Sequence, residues 1–286
     1  MSNAQRYMIA VQPTSFGQVL ACLGFLELAN CLGVGREGGF EPLAGMNCRF
    51  AILGPAGDNP FKKVLTFLNK AELEEQGVDW SSHTYPGPKE DDKTKPIALR
   101  AEDVTFTISQ QTEQNSRLRE ALKLYAGAQS AKTIAQQLRD GDKKKNTLGF
   151  KQLISEYMGN DQFEERLLKE PFEITVPCPP GFNFDPRGAW NTLDAGYSIY
   201  EQGQSVLASP LVEILAAIGL QNARPKIVKD RNSTYCEYWT WEGLLPLPLA
   251  RAALGGARVG VNLQSFEFTV GSKGRYKTVT EATMVR

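Results

Sequence analysis

Two groups of basic and aromatic residues in the C-terminal part of the chain have a composition typical of phosphate-binding surfaces. Their cations are, in order, Lys226, Lys229 and Arg231, then Lys273, Arg275 and Lys277. Cations bind phosphate oxygens, while aromatic rings can stack on bases or enter a groove. The aromatics of 235–241 also alternate as they would in a strand with one buried face, and we assign them to the core. We expect the cations to contact nucleic-acid phosphate, first at 273–277 and second at 226–231.

Arg187 and Lys144 are further candidates for contact with nucleic acid. Arg187 follows Asp185 and Pro186, a pair that suits the start of a helix, since Asp accepts from free amides and Pro has no N–H to lose. Such a turn would present Arg187 rigidly, although local chemistry favours a simple ion pair with Asp185 or Asp194. Lys144 is the centre of a three-lysine run, and runs of this kind are usually only solvated.

Two glycine-rich stretches match nucleotide-binding loops by letter but lack the structural context that such loops need. Residues 33–38 match G-x-G-x-x-G, yet a helix is predicted before them and no helix after them. Residues 271–278 differ from the P-loop pattern at Tyr276, which replaces a glycine, and a strand is predicted to follow. We therefore expect no nucleotide cofactor.

Residues that could form a catalytic centre are scarce. His83 is the single histidine and lies beside a charged, proline-rich segment, so neither a histidine-based zinc site nor a Ser-His-Asp triad is easily built. The paired carboxylates at 91–92 and 164–165 are adjacent on polar segments, as on solvated faces. The sequence predicts no metal, no cofactor and no enzymatic activity.

The composition is that of an ordinary soluble globular protein, with 42% hydrophobic and 22% charged residues. The 32 basic and 32 acidic residues cancel. Residues 222–286 contain ten basic and five acidic residues, a surplus compatible with a polyanion-binding face. The five cysteines show no C-x-x-C pair, which favours a reduced, cytoplasmic setting. The apolar run near 19–32 is interrupted by polar residues, and no membrane span is expected.

Hydrophobic spacing predicts an α+β fold with a mixed or antiparallel sheet built from N- and C-terminal strands and a helical insertion in the middle. We place the parts at 1–114, 115–170 and 171–286. Strands are predicted at 7–11, 49–53, 97–109, 172–176, 182–184, 226–229 and 235–241, with a hairpin over 258–283. Helices are predicted from Phe16, from Pro60, across 115–169, after Ser209 and at 247–254, with loops at 33–39 and 85–95.

Three segments resemble one known family. They are VQPTSFGQVLACLGFLELANCLG at 11–33, FNFDPRGAWNTLDAGYSIYEQG at 182–203 with its following helix, and LPLPLARAAL at 245–254. Together they cover about a third of the chain and are similar to the short form of the Cascade large subunit of type I-G (formerly I-U) CRISPR systems. The chain departs from the family pattern at Gln12, where an acidic residue is expected.

The resemblance implies a non-catalytic subunit of an RNA-guided surveillance complex in antiviral defence. Such a subunit reads the protospacer-adjacent motif in double-stranded target DNA and recruits a helicase-nuclease effector. Its partners would be the other Cascade subunits and the CRISPR guide RNA, with no membrane involved. Two alternatives remain open: a guide-RNA-binding backbone subunit with a ferredoxin-like (RRM-like) fold, and a small metabolic enzyme with a pocket near the central loop.

Overall fold

The computed structural model describes residues 4–43, 47–75, 96–108, 122, 124, 130–188, 207–229, 234–273 and 276–285. In this part of the chain helices alternate with antiparallel sheets, which confirms the α+β prediction. The strands are β1 (Ala4–Val11), β2 (Glu37–Pro42), β3 (Cys48–Pro55), β4 (Glu72–Glu75), β5 (Ile97–Ala101), β6 (Val104–Ile108), β7 (Val176–Pro177), β8 (Leu207–Ala208), β9 (Lys226–Lys229), β10 (Thr234–Trp241), β11 (Leu245–Pro246), β12 (Leu263–Lys273), β13 (Tyr276–Val279) and β14 (Thr283–Val285). The helices are α1 (Phe16–Cys31), α2 (Pro60–Lys70), α3 (Ala131–Asp140), α4 (Phe150–Met158), α5 (Asp161–Lys169), α6 (Pro210–Gly219) and α7 (Leu247–Leu254).

The N-terminal sheet has the strand order β1-β3-β2-β11. Both β1 and β2 are antiparallel to β3, so β1 and β2 run parallel on either side of it, and α1 connects them. Ile9 pairs with Phe50, and both are buried under α1. Because side chains alternate across a strand, the neighbouring residues form the opposite face, where Met8 is exposed. β1, α1 and β2 form a β-α-β unit, and β3 lies between its two parallel strands.

Helices α1 and α6 form the centre of the core and touch through their backbones. A side chain at Gly24 would overlap the carbonyl oxygen of Leu215, and one at Gly219 would overlap that of Leu20. Glycine permits this approach because it has no Cβ. Ser209 caps α6 and Pro210 opens it, as predicted. The two helices therefore pack as one unit, although almost 180 residues of sequence separate the end of α1 from the start of α6.

The C-terminal sheet joins β9, β10 and β12, with β13 and β14 both paired to the far side of β12. Tyr238 on β10 is fully buried, stacks beside Phe16 and donates a hydrogen bond to the Pro13 carbonyl at 2.6 Å. Trp241 is buried against Phe40 and donates from Nε1 to Gly38 at 3.0 Å. Tyr238 and Trp241 thus belong to the core and attach this sheet to the N-terminal one. Tyr235 and Trp239, which the sequence also assigned to the core, are half-buried on the other face from Tyr238. Trp241 shares that face and is buried because it packs on Phe40.

Several predicted elements differ from those observed. Strands predicted at 172–176 and 182–184 are wrong, since only Val176–Pro177 is extended in a ladder there. Phe172, Phe182 and Phe184 are each fully buried although they lie outside any strand, and this burial imitates strand alternation in the sequence. The predicted loop at 33–39 ends in strand β2. The predicted loop at 85–95 and His83 lie outside the described residues.

The helices α3 to α5 share one continuous hydrophobic core with the rest of the described chain. Ser155 on α4 donates to the Asn69 side chain on α2 at 2.9 Å, and Lys62 on α2 pairs with Glu164 on α5. Division of the chain at 114 and 170 remains a prediction.

The cysteines are all free thiols: Cys31 at the end of α1 is exposed, and the buried ones are Cys22, Cys48, Cys178 and Cys236.

Candidate nucleic-acid interface

The turn that carries Arg187 is built around a buried carboxylate. Asp185 is 1% exposed and accepts hydrogen bonds from the Arg187 amide (3.1 Å) and from the Ser209 amide (2.9 Å). The guanidinium of Arg187 donates to both oxygens of Asp185 and to the Phe172 carbonyl at 2.8 Å. Arg187 therefore forms the ion pair that local chemistry favoured. We call residues 181–188 the corner.

Beneath the corner lies a second buried carboxyl group, Glu213 on α6. It is 3% exposed, and its Oε1 accepts from the Asp185 amide at 2.7 Å. Its Oε2 has no hydrogen-bond partner among the described residues, and a Cβ at Gly181 would lie 2.7 Å from it. Burial raises the pKa of Glu213 to about 7, and the charge of Asp185 adds to this effect. Burial, together with these two carboxyl groups, also raises the pKa of the Cys178 thiol.

Asn183 connects the corner to the C-terminal hairpin. Its side-chain amide donates to the carbonyl of Lys277 on β13 at 3.1 Å and to that of Leu124 at 3.3 Å. The Lys277 amide donates to the same Leu124 carbonyl at 3.1 Å. Asn183 has a φ of 66°, in the left-handed region that Asn tolerates better than most residues. The predicted phosphate-binding hairpin is thus attached to the corner at Lys277, one residue pair from its tip.

The three-lysine run forms a compact turn. Residues 143–145 make one turn of 3₁₀-helix capped by Asp142, whose carboxylate accepts from the Lys144 amide at 2.9 Å. Asp142 and Thr147 close the turn with reciprocal backbone hydrogen bonds of 3.2 and 3.1 Å. The side chains of Lys143, Lys144 and Lys145 are all exposed. We call residues 142–147 the lysine turn; it holds three ammonium groups on a fixed backbone.

The remaining predicted cations lie in different surroundings. The Lys226 ammonium on β9 is 2.7 Å from the Glu237 carboxylate of the neighbouring strand, which partly cancels its charge. Lys229 ends β9, and Lys273 ends β12. Arg231 and Arg275 lie outside the described residues, as does Asp194.

The structure attaches two of the predicted residues, Lys277 and Arg187, to the same corner. Lys226 and Lys144 belong to separate elements, β9 and the lysine turn. Sequence analysis missed Asn183 and Glu213. Glu213 could have been noticed, because it is a carboxylate within the apolar run of α6. Nothing in the sequence marks Asn183, because its contacts depend on its left-handed backbone conformation.

A cleft of ≈ 480 Å³ lies between the two larger sheets. Of the described residues that line it, Glu242 is the only charged one, and its carboxylate accepts from the Asn262 side chain at 2.9 Å. No lysine or arginine of the described part borders the cleft, so it offers phosphate no counter-charge. Its other lining residues are apolar or neutral polar: Pro13, Phe40, Pro42, Asn47, Cys48, Thr240, Trp241, Asn262, Leu263, Gln264, Ser265, Phe266, Met284 and Val285.

Within the described ranges no group of three or more His, Cys, Asp or Glu side chains is arranged to hold a metal ion. None of the helices described has the length and apolar character needed to cross a membrane. Comparison of the chain with protein-family models, with curated proteins and with solved structures found no match.

Proposed function

We propose that the protein is a non-catalytic, cytoplasmic subunit of a type I CRISPR Cascade complex, with the large-subunit role of binding target DNA beside the protospacer-adjacent motif. The observation that carries this proposal is that the described parts of the three resembling segments, far apart in sequence, are in contact in the fold. They form α1, residues 182–188 of the corner with α6, and α7. A resemblance spread over unrelated surface segments would carry much less weight.

The contacts between these segments are specific. The backbone of α1 touches that of α6 at Gly24 and Gly219, and a side chain at Gly17 would overlap the Phe184 carbonyl of the corner. Helix α7 joins through Arg251, which binds both oxygens of the buried Glu27 on α1 at 2.6 Å. The described residues of the three segments therefore form one contiguous structural unit, which supports treating them as a single family trait.

The proposed DNA contacts are cations outside this unit. The lysine turn presents exposed ammonium groups, and Lys277 on β13 is exposed beside the corner. Phosphate contacts of this kind give affinity without sequence preference. In RNA-guided complexes base pairing with the guide reads most of the sequence, so a protein subunit needs chiefly such backbone contacts.

One observation favours the alternative role of a guide-RNA-binding backbone subunit. The split β1-α1-β2 unit with strand order β1-β3-β2 has the connectivity of half a ferredoxin-like fold. RNA-binding sheets of this type stack bases on aromatic residues of their open face. The face of β1 and β3 opposite Ile9 and Phe50 carries none: its residues include Arg6, Met8, Ala10, Arg49, Leu53 and the buried Ala51. The large-subunit role is therefore the better supported of the two.

The metabolic-enzyme alternative would use Asp185 or Asp194 near the central loop. Both oxygens of Asp185 are committed to Arg187 and Ser209, so this carboxylate is not available as a general base. No observation within the described residues favours that alternative.

The test is co-expression of the tagged chain with the genes adjacent to its own, followed by affinity purification and sizing of any bound RNA. We expect a complex with a single copy of this chain and one guide-length RNA, which binds double-stranded DNA carrying the adjacent motif. Several copies per RNA would instead establish the backbone role. A purified chain that associates with neither RNA nor neighbouring proteins would refute the proposal.

A further inference from the structure

A preformed cleft lies where the two larger sheets meet. Its volume of ≈ 480 Å³ is in the range of sites that hold small organic molecules. The isolated bridge between Phe40 and Glu242 joins β2 to the end of β10 beside it. Phe40 packs edge-on against Trp241, and both rings are almost fully buried in the common core. The walls of the cleft are therefore fixed by the packing of the two sheets.

Part of the cleft lining is apolar and exposed. Met284 and Val285 of β14 line it with 44% and 42% of their surfaces exposed. β14 pairs only with β12 in the described part of the chain, so no further strand of that part covers these side chains. Pro42 of the N-terminal sheet, which is also exposed, adds to this surface. A ligand with an apolar body would remove the surface from water.

The polar lining of the cleft has unused hydrogen-bond acceptors. Thr240 is only 5% exposed and lines the cleft, yet its hydroxyl makes no hydrogen bond within the described residues. Gln264 pairs with Thr240 across β10 and β12, and its Nε2 donates to the sulfur of Met284. The Oε1 of Gln264 accepts no hydrogen bond from the described chain. A nearly buried hydroxyl is costly to leave without a partner, and a molecule in the cleft would supply one.

The charge of the cleft is negative. Among the lining residues that the structure describes, Glu242 alone is charged. Its Oε2 accepts from the Asn262 side chain at 2.9 Å, while its Oε1 has no partner in the described residues. Glu242 and Thr240 are two residues apart at the end of β10, so both belong to the face that carries Gln264. Three oxygen acceptors therefore share one face of the sheet, and one of them is a carboxylate.

We propose that the cleft binds a small organic amine. An ammonium group has three N–H donors and no acceptor, which matches the oxygens of Glu242, Gln264 and Thr240. The apolar body of the ligand packs on Met284 and Val285. Hydrogen bonds between charged groups are stronger than those between neutral ones, so Glu242 gives the site its preference for a cation. A ligand that carries a carboxylate or a phosphate meets no counter-charge in the cleft and is excluded.

The experiment is a titration of the full chain, labelled with ¹³C in its methionine methyl groups, at neutral pH. The Met284 methyl signal, identified by its loss in Met284→Leu, reports whether the cleft is occupied. The ligands have similar shapes: phenethylamine ends in an ammonium group, phenethyl alcohol in a hydroxyl and hydrocinnamate in a carboxylate. We expect phenethylamine to bind about tenfold more tightly than the alcohol, because its hydrogen bond to Glu242 joins two charged groups. Hydrocinnamate should leave the signal unchanged.

Two variants and a control assign the binding to these side chains. Glu242→Gln removes the charge and can still accept from Asn262, so it should bind the amine about tenfold more weakly and the alcohol as the parent does. Thr240→Val removes the hydroxyl and should weaken amine binding about threefold. Glu267→Gln changes a charge on β12 outside the cleft, and it should bind each ligand as the parent does.

The comparison of ligands in the parent protein tests the proposal even if a variant does not fold. The proposal is overturned if phenethylamine leaves the Met284 signal unchanged, if the alcohol binds as tightly as the amine, or if Glu242→Gln keeps the preference for the amine. Neither Lys144 nor Lys277 lines the cleft, and the measurement uses no nucleic acid. Failure here would therefore leave the proposed role in DNA binding unaffected.

Discussion

Two buried carboxyl groups, side by side, differ in what surrounds them. Asp185 receives N–H donors from Ser209 and from both the backbone and the guanidinium of Arg187. Glu213 accepts at Oε1 from the Asp185 amide, with further support for its charged form from the amides of Phe184 and Asn183, and its Oε2 has no hydrogen-bond partner in the described residues. Donors stabilise an ionised carboxylate, whereas burial disfavours it. At Glu213 burial outweighs the donors and raises the pKa to about 7.

We expect Glu213 to make the protein less stable as pH rises. Its pKa is about 7 when folded and about 4.5 when unfolded. Between these values the folded state binds the extra proton, so the free energy of unfolding falls as pH increases and levels off above pH 7. The loss amounts to about 3 kcal/mol for this group. The measurement is urea unfolding of the parent and of Glu213→Gln at pH 5 and pH 8.

The difference between the two proteins isolates this one group from the other titrating residues. Glu213→Gln should match the parent at pH 5 to within about 1 kcal/mol and exceed it clearly at pH 8. A constant difference at both pH values would show that Glu213 does not change its protonation on folding.

At the scale of elements, the contact between α1 and α6 determines how the core is packed. Of the sixteen residues of α1, fourteen are buried, so this helix has no solvent face of ordinary width. The glycines at its interface bring two backbones closer than any side chain would allow. Any residue larger than glycine there must move a whole helix.

Gly24→Ala is expected to lower the free energy of unfolding by about 3 kcal/mol, because the new methyl group would overlap the Leu215 backbone. Gly159→Ala is the matched control: Gly159 follows α4 with an ordinary φ of −81°, and a Cβ there would lie 3.2 Å from the Ser155 carbonyl, against 2.1 Å from the Leu215 carbonyl at Gly24. Its effect should stay within about 0.5 kcal/mol. Equal effects of the two substitutions in chemical denaturation would mean that the helices are not in backbone contact.

Local patterns predicted the regular elements well and the irregular ones poorly. The helix at 247–254 and the caps Asn59 and Ser209 follow from proline and cap chemistry that acts within a few residues. The false strand at 182–184 arose because Phe182 and Phe184, both fully buried, flank the half-buried Asn183, although the segment belongs to no strand. Sequence spacing cannot distinguish these two reasons for burying alternate residues.

For the whole molecule, net charge carries no information about function, since the 32 basic and 32 acidic residues balance. What matters is which cations have acidic neighbours. Lys226 lies against Glu237, as Arg187 does against Asp185. The lysine turn carries three consecutive exposed ammonium groups on a closed backbone. We therefore expect the lysine turn, rather than Lys226 on β9, to contact phosphate.

The salt dependence of DNA binding by the assembled complex should distinguish these cations. For each lysine that meets a phosphate, substitution by alanine reduces the slope of log affinity against log salt by about 1. We expect this for Lys144→Ala and Lys277→Ala, and an unchanged slope for Lys226→Ala. Unchanged slopes for the first two variants would place the polyanion on another surface.

The candidate site could be predicted only in part. Its cations were identified from composition, because charge is visible in the sequence. Their pairing was not, since the Lys226–Glu237 contact depends on the register between β9 and β10. The attachment of β13 to the corner was equally hidden, because it joins residues 183 and 277 through a side-chain amide and a backbone carbonyl.

The distribution of thiols gives the protein a natural labelling site. Cys31 alone among the five cysteines is exposed, and burial raises the pKa of both Cys48 and Cys236 to about 12, which keeps them unreactive. A maleimide dye should therefore attach to one position in the native protein and to five in denaturant. Since Cys31 is the last residue of α1, such a dye would report by its anisotropy on any large partner that docks near that end, without a single engineered residue.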